Sequence, residues 1–258
     1  MIAEFEDWGA SAPAGVGARF LPECDSTNAV ASKLGQSGEA GPLWIVAGRQ
    51  SAGRGRRGKI WKSEDGNLYA SLLFKPAIEP SDMTAIPFLV ALAVRDTFLR
   101  FGADDVRCKW PNDVLIGGCK ASGVLIESSA RNAKELDYVI IGIGMNLMHF
   151  PDDAQFQATS LKAVTGNVID VRNAFQALSH HLFDRLTNWK TSEITPVAEE
   201  WTNSAWGLGH RCVLRTATDT FEGTPLRLAA DGGLVVGLDN GEERSLYAGD
   251  IFPVSGME

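Results

Sequence analysis

Cysteine is scarce and widely spaced in this chain of 258 residues. The four cysteines, Cys24, Cys108, Cys119 and Cys212, form no CxxC pair. A structural zinc site uses closely spaced cysteine pairs, and a dense disulfide framework needs many cysteines in a short chain, so the sequence indicates neither. We therefore expect four free thiols in a reducing compartment, which predicts a cytoplasmic protein.

Long apolar runs are missing as well. The longest one, Ile86 to Val94, is much shorter than the roughly 20 residues that span a bilayer. The first eight residues, Met1 to Trp8, hold three acidic side chains, whereas a secretory signal begins with basic ones. The sequence therefore predicts no membrane partner.

Positive charge is in deficit, with 24 lysines and arginines against 32 aspartates and glutamates and a net charge of -8. Proteins that coat nucleic acid carry an excess of positive charge, so we expect no DNA partner. One segment departs from this balance. Between Arg49 and Lys62 the chain gathers six of its 24 basic residues and no acidic one, which predicts a local site for a small anion.

What the chain does have is an alternation of strand-like and helix-like segments. Capping and periodicity predict a short helix from a cap at Asp25 or Ser26 to Leu34 and longer helices at 81–101 and 170–189. They also predict strands at 43–47, 67–74, 106–110, 114–116, 121–127 and 136–144. The three strands between 106 and 127 follow each other through short turns, which favours hairpins over βαβ crossovers.

The C-terminal part has a different pattern. Four short strands between His210 and Ala248 are separated by Asp-Gly and Asn-Gly turns, which indicates a small antiparallel β module. We therefore predict an α+β chain with two domains, residues 1–204 and residues 205–258. The first has a mixed or antiparallel central sheet flanked by helices, and the second is a small β-barrel.

The basic segment combines glycines with arginines. Gly53, Gly55 and Gly58 alternate with Arg54, Arg56 and Arg57, so backbone amides and guanidinium groups can approach a phosphate closely. The glycines match the letters GxGxxG, but a strand and not a helix follows them, so the dinucleotide fingerprint is not met. A solvated turn is the alternative that the residues alone leave open.

Three further segments carry polar groups at defined places. Pro111 ends a strand rigidly and presents Asn112 and Asp113, which suit a ribose, a metal-bound phosphate or an amine, or else form an Asx turn. Lys120 begins an apolar strand, where it could face an anion or protect a sheet edge. Glycines between Ile141 and Asn146 indicate close approach of a ligand or of another backbone.

In this order and spacing, these segments resemble the biotin protein ligases. The resemblance rests on five motifs: 26–28 (Ser-Thr-Asn), 50–58 with Trp61, 109–113 (Lys-Trp-Pro-Asn-Asp), 120–127 and 142–146. It extends more loosely to the C-terminal module and so covers most of the chain.

The resemblance implies a fold and a reaction. The fold is a class II synthetase-like catalytic domain of the biotin and lipoate ligase type, followed by an SH3-like barrel. The reaction uses ATP and Mg²⁺ to convert biotin to biotinyl-5′-AMP, and then transfers biotin to one lysine of a biotin carboxyl carrier protein. A lipoate–protein ligase is the second hypothesis, and a nucleic-acid-binding module that uses the basic loop is the third.

The resemblance also implies residue roles. Lys120, Arg56 and Asp113 are the expected catalytic residues, and Asp113 is also the expected Mg²⁺ ligand. The expected contacts to biotin and nucleotide are Ser26, Thr27, Asn28, Gln50, Gly53, Arg54, Gly55, Arg56, Arg57, Gly58, Trp61, Lys109, Asn112, Lys120, Gly123, Leu125 and Asn146.

Two departures from the family pattern carry expectations of their own. Many relatives have a helix-turn-helix domain before the Ser26 motif, and here few residues precede it, so we expect a ligase without repressor activity. Glu222 and Gly223 are not followed by the usual sequence, so a nucleotide contact through Arg227 is not expected. Monomer and homodimer both stay open.

Overall fold

Two β-sheets and five α-helices make up the computed structural model, which describes residues 5–132, 134–152, 156–189 and 194–254. The strands are β1 (Glu6–Asp7), β2 (Gly17–Cys24), β3 (Leu43–Gln50), β4 (Leu68–Phe74), β5 (Val106–Lys109), β6 (Asp113–Ile116), β7 (Cys119–Asn132), β8 (Glu135–Met145), β9 (Cys212–Arg215), β10 (Thr220–Leu228), β11 (Leu234–Gly237), β12 (Glu243–Leu246) and β13 (Asp250–Pro253). The helices are α1 (Thr27–Gln36), α2 (Ile86–Arg100), α3 (Leu161–Thr165), α4 (Val171–Asn188) and α5 (Ile194–Asn203).

The larger sheet has eight strands in the order β1-β2-β3-β4-β8-β7-β6-β5. Only β2 and β3 pair in parallel, and the other neighbours are antiparallel. The predicted run of hairpins is confirmed, because β5, β6 and β7 are consecutive antiparallel neighbours. The α+β class with a mixed sheet is confirmed as well.

The two faces of this sheet bury different sets of side chains. Trp44 and Val46 of β3 belong to the large core on the side of α2 and α4, whereas Leu43 and Ile45 belong to a smaller core with Ala31 of α1. Successive side chains of a strand point to opposite faces, which explains this alternation. Since β3 is covered on both faces, its sequence is a continuous apolar run.

The smaller sheet has five antiparallel strands in the order β12-β11-β10-β9-β13. Hydrogen bonds connect the C-terminal part of the chain to β5 and to α5. The N–H of Trp206 donates to the carbonyl of Cys108 on β5 at 2.8 Å, and the N–H of Leu228 donates to Oγ1 of Thr202 on α5 at 3.2 Å. The fifth strand, β13, was not among the predicted ones.

Two further differences from the sequence expectations have a clear physical reason. The helix expected from Ser81 begins at Ile86, after a 3₁₀ turn at Pro80–Ala85, and Pro87 occupies its first turn, where a missing N–H costs nothing. Strand β2 was not predicted, since Pro22 and charged residues interrupt its apolar pattern. Among the described helices, none is both long and apolar enough to cross a membrane.

The N-cap of α4 gives a direct test of this architecture. The Asp170 carboxylate accepts the N–H of Asn173 at 3.1 Å. Replacing Asp170 with alanine should lower the free energy of unfolding by about 1 kcal/mol, because that N–H loses its partner. Urea denaturation should show this loss, and Asp184→Ala on the exposed face of the same helix should leave the midpoint within error.

Candidate active site

One cavity of about 390 Å³ collects the residues that the sequence singled out. It lies between the α1 side of β7 and β8, the basic loop that follows β3, and β13. All of the predicted site residues except Gly53 and Gly58 line it. The cavity is also lined by Lys59, Ile60 and Lys62 of the basic segment and by Val124, Gly142, Ile143 and Gly144 of the motifs at 120–127 and 142–146. The sequence reasoning did not single out the remaining lining residues, which are Pro151, Phe156, Ala158, Asp250 and Phe252.

The two predicted glycines outside the lining shape the basic loop. A Cβ on Gly53 would lie 2.4 Å from the carbonyl oxygen of Trp61, so only glycine fits there. Gly58 has a φ of 74°, in the left-handed region that favours glycine. Both glycines therefore allow the backbone of the loop to take its conformation, and neither contacts the cavity.

Glycines of β7 and β8 form a flat floor in the cavity. Gly123 is opposite Gly144, and Leu125 is opposite Gly142. The indole of Trp61 lies against this floor, because a Cβ on Gly144 would come within 2.5 Å of its ring and one on Gly123 within 2.9 Å. The buried Nε1 of Trp61 has no hydrogen-bond partner. The sequence predicted close approach of a ligand or of another backbone at the glycines between Ile141 and Asn146, whereas in the structure side chains, those of Trp61 and Asn28, approach them.

Beside this floor, the start of α1 provides neutral polar groups. The N–H of Thr27 donates to Oε1 of Gln50 at 2.9 Å, and Nδ2 of Asn28 donates to the Glu127 carboxylate at 2.8 Å. The hydroxyl of Ser71, on β4, lies behind Thr27 and Asn28 and contacts both. Glu127 ended a motif but had no assigned role, and Ser71 was missed because a single serine in an apolar strand gives no signal.

A cluster of two lysines and one carboxylate lies at the other side of Trp61. Oδ1 of Asp113 is 2.6 Å from Nζ of Lys120, and Oδ2 is 3.8 Å from Nζ of Lys109. The Lys109 side chain is only 4% exposed, and its ammonium group lies 4.6 Å from the ring centre of Phe156 and 5.7 Å from that of Phe252. Burial lowers the pKa of Lys109, and the nearby Asp113 carboxylate opposes that shift.

The three loop arginines have partners on three different elements. Arg54 donates to Glu127 on β7 at 3.0 Å, Arg56 to the Asn112 side chain at 2.9 Å, and Arg57 to Asp250 on β13 at 3.1 Å. Arg57 itself adopts a φ of 55°, a conformation that costs energy for a residue with a Cβ. Burial lowers the pKa of Arg56, while the charge of Asp250 opposes that effect.

The C-terminal module reaches the cavity through β13 and not through Arg227. Asp250 and Phe252 both line the cavity. Arg227 is outside the lining and forms a two-point ion pair with Glu243 at 3.0 and 2.8 Å. The doubt about Arg227 as a nucleotide contact therefore agrees with its position.

The charges of the lining predict a polyanionic ligand. Seven lysines and arginines but only two carboxylates, those of Asp113 and Asp250, line the cavity. Arginine forks and lysines arranged in this way suit phosphate oxygens. No group of three potential metal ligands occurs among the described residues, and both Asp113 oxygens face ammonium groups.

Comparisons with known proteins agree with this chemistry. The model of the biotin/lipoate A/B protein ligase family matches residues 20–146. A biotin–[acetyl-CoA-carboxylase] ligase of Paracoccus denitrificans is 33% identical over 224 residues, which cover 84% of this chain and 92% of the relative.

Solved structures of similar fold contain the ligands of such a reaction. The biotin protein ligase from Aquifex aeolicus in complex with biotin and ATP superposes with a TM-score of 0.77 at 26% identity, covering 91% of this chain and 97% of that one. The biotin protein ligase from Leishmania major in complex with biotinyl-5-AMP gives a TM-score of 0.66 at 29% identity, covering 90% and 98%.

The charge of the cavity can be tested without any assumed reaction. Inorganic tripolyphosphate should bind and raise the thermal midpoint, with an affinity that falls as salt is added. Arg56→Gln should weaken this binding about tenfold, the effect of losing one charged hydrogen bond. Arg107→Gln is the matched control, since Arg107 pairs with Asp105 at 2.9 Å outside the cavity. Equal binding by both variants would contradict the assignment of the cavity.

Proposed function

Because the chain belongs to the biotin/lipoate A/B protein ligase family, we propose that it works as follows. It is a biotin protein ligase, an ATP-dependent enzyme that activates biotin as biotinyl-5′-AMP and transfers it to a lysine of a carrier protein. Relatives named for biotin ligation and neighbours that bind biotin with ATP favour biotin over lipoate as the acid.

One observation supports this function best: the cavity has a neutral end and a cationic end with Lys120 between them. The neutral end has the glycine floor and the polar groups of Thr27 and Gln50, which suit a small fused ring. The cationic end has Arg56 and Arg57, whereas Arg54 pairs with Glu127 beside Asn28. Nζ of Lys120 lies 5.6 Å from the Trp61 ring centre, next to the floor and next to Asp113.

In the first step, a biotin carboxylate oxygen bonds to the α-phosphorus of ATP, and the bond from that phosphorus to the bridging oxygen breaks. Pyrophosphate leaves with the electron pair. We assign Lys120 to the meeting point of the two anions, where its ammonium group offsets their repulsion as they approach. Arg54 and Arg56 then hold the phosphates in place of their present partners within the protein, and Arg57 holds them with its remaining N–H groups while it keeps its ion pair with Asp250.

In the second step, the amine of the carrier lysine attacks the acyl carbon, and the bond to the phosphate oxygen breaks to release AMP. The amine must lose a proton. We assign Asp113 as its acceptor, since this carboxylate lies next to Lys120 at the centre of the site. The basic loop covers the intermediate and shields its mixed anhydride from water.

Magnesium enters this proposal with the nucleotide. Mg²⁺ commonly binds through substrate phosphates and one or two carboxylates, and keeps several waters. Asp113, the expected ligand, already faces two ammonium groups, so the donor set does not fit a metal held by the protein alone. A Mg²⁺ ion bound to ATP would be part of the substrate.

The carrier is the partner that the reaction requires. We propose a biotin carboxyl carrier domain of acetyl-CoA carboxylase or of another biotin-dependent carboxylase, by analogy with the relative's name. The net charge of -8 opposes binding to DNA, and the choice between monomer and homodimer stays open. The four cysteines are free, which suits a reducing cytoplasm.

The reaction itself can be tested with purified components. The protein, ATP, Mg²⁺, biotin and a carrier domain should yield a carrier that streptavidin detects, with pyrophosphate released. Lipoic acid in place of biotin should support little pyrophosphate release. If the folded protein did not label the carrier, the proposed function would be refuted. A preference for lipoic acid would instead indicate a lipoate–protein ligase.

The proposed role of Lys120 predicts that its replacement slows adenylate formation without changing the fold. Lys120→Met should lower the rate constant of adenylate formation by about 10²- to 10³-fold, as expected when one group that stabilises developing charge is removed. Circular dichroism should show an unchanged fold. Lys75→Met removes a partly exposed lysine paired with Glu135 and should keep normal kinetics, so similar rates for both variants would exclude Lys120 from catalysis.

The pair between Arg57 and Asp250 predicts a role for β13 in retaining the intermediate. The two side chains are 40% and 27% exposed, so their ion pair is worth no more than about 1 kcal/mol. Asp250→Asn should therefore speed the release of biotinyl-5′-AMP about two- to fivefold, measured by retention of radiolabelled intermediate. Asp239→Asn breaks an exposed pair with Arg211 in the same module and should leave that release rate unchanged. A rate unaltered by Asp250→Asn would contradict the role of β13.

A further inference from the structure

One side-chain oxygen holds the segment that follows β8. Asn67 is 3% exposed and does not line the cavity. Its Oδ1 accepts three successive backbone N–H groups, from Leu147 at 2.9 Å, Met148 at 2.8 Å and His149 at 3.1 Å. Its Nδ2 donates to the carbonyl of His149 at 2.9 Å. The oxygen of an amide can only accept and its nitrogen can only donate, so these contacts fix the orientation of the Asn67 side chain.

Asn67 is a neighbour of Asn146, which does line the cavity. Asn67 directly precedes β4 and Asn146 directly follows β8, and the two strands pair at these ends. The N–H of Leu147 belongs to the same peptide group as the carbonyl of Asn146. Asn67 therefore fixes the peptide group that follows Asn146. The preceding one is fixed as well, since the N–H of Asn146 donates to the carbonyl of Ala121 at 2.8 Å.

The side chain of Asn146 has an acceptor to offer to a ligand. It is 4% exposed, and its Nδ2 donates to the carbonyl of Thr159 at 3.0 Å. That contact orients the amide, and among the residues that the structure describes none donates to its Oδ1. An amide oxygen suits an N–H donor, such as the amino group on the base of ATP. Hydrogen bonds weaken steeply when their geometry is disturbed, so the position of the Asn146 backbone matters for this contact.

We propose that Asn67 is a positioning residue for the nucleotide: it holds the backbone of Asn146 so that Oδ1 accepts a hydrogen bond from the amino group of the ATP base. This inference rests on the proposed function. Without the Asn67 amide, three successive N–H groups lose their acceptor at once. Unsatisfied N–H groups are costly, so the segment after β8 would turn toward other acceptors and displace the peptide group next to Asn146.

An ATP analogue with a hydrogen atom in place of the amino group of its base tests this role. In the wild type, biotin-dependent pyrophosphate release should have a KM about tenfold higher for the analogue than for ATP, the effect of one hydrogen bond. Asn67→Ala should raise the KM for ATP about tenfold and change that for the analogue much less, because the analogue never forms this bond. The ratio of the two KM values should thus fall about tenfold, and the KM for biotin should stay within about twofold. A merely structural role of Asn67 would raise the KM for both nucleotides equally.

A conservative variant and a matched control complete the comparison. Asn67→Asp should restore most of the ratio, because successive backbone N–H groups bind an anionic oxygen well, although the donor to His149 is lost. Thr97→Val removes another fully buried hydrogen-bonding side chain, whose hydroxyl donates to the carbonyl of Ala93 on α2 at 2.8 Å. This variant should leave the ratio unchanged.

Four results would overturn the inference: equal KM values in the wild type, an unchanged ratio in Asn67→Ala, no recovery in Asn67→Asp, or the same fall in Thr97→Val. If Asn67→Ala does not fold, Asn67→Ser provides the same comparison, because its hydroxyl is one bond nearer to the backbone and does not reach the three N–H groups. Failure of the proposed function is distinguishable, because the wild type would then release no pyrophosphate from either nucleotide in the presence of biotin.

Discussion

The buried ammonium group of Lys109 is the constraint on which the cavity depends. A charge that is only 4% exposed is stable only when partners replace its water, and removing one partner of such a pair costs about 3–5 kcal/mol. Asp113 supplies the opposite charge, and Phe156 and Phe252 supply ring faces. These partners come from β6, from the segment after β8 and from β13. Three parts of the chain that are distant from one another in sequence therefore meet around the ammonium group of Lys109.

The three loop arginines also need partners for their charges, and their interactions are weaker because they lie nearer to solvent. Like charges repel, so a loop with three arginines can lie over a cationic cavity only if each has an acceptor. Glu127, Asn112 and Asp250 provide these acceptors at 2.9 to 3.1 Å. Such pairs near solvent contribute little to stability, so a polyphosphate could replace the acceptors of Arg54 and Arg56 at low cost, while Arg57 has enough N–H groups to keep Asp250 as well. Weak internal acceptors thus keep the loop in place and leave it ready to exchange them for a ligand.

The sequence alone could predict those site residues that belong to compact motifs, but not those whose partners are distant in sequence. Lys120, Asp113 and Gly55 belong to compact motifs, so these residues were predicted and do line the same cavity. The resemblance to a family supplied the function and the roles, which spacing alone left open. Ser71 was missed because its hydrogen bonds are with Thr27 and Asn28, which are distant in sequence. Strand β13 was missed because four residues ending in a proline show no alternation.

That missed strand changes how the two predicted domains relate to the site. A boundary at residue 204 separates two sheets, but the cavity takes Asp250 and Phe252 from the second. Their positions relative to Arg57 and Lys109 are set by the packing between the sheets. A Cβ on Gly249 would lie 3.3 Å from the Trp110 ring, and Ala205 forms a parallel bridge with Cys108 on β5. Trp110 lies between Lys109 and the turn that presents Asp113, so contact with the C-terminal module and the geometry of the lysine cluster are coupled through adjacent residues. The small module is therefore a wall of the cavity, and its docking against β5 is part of building the site.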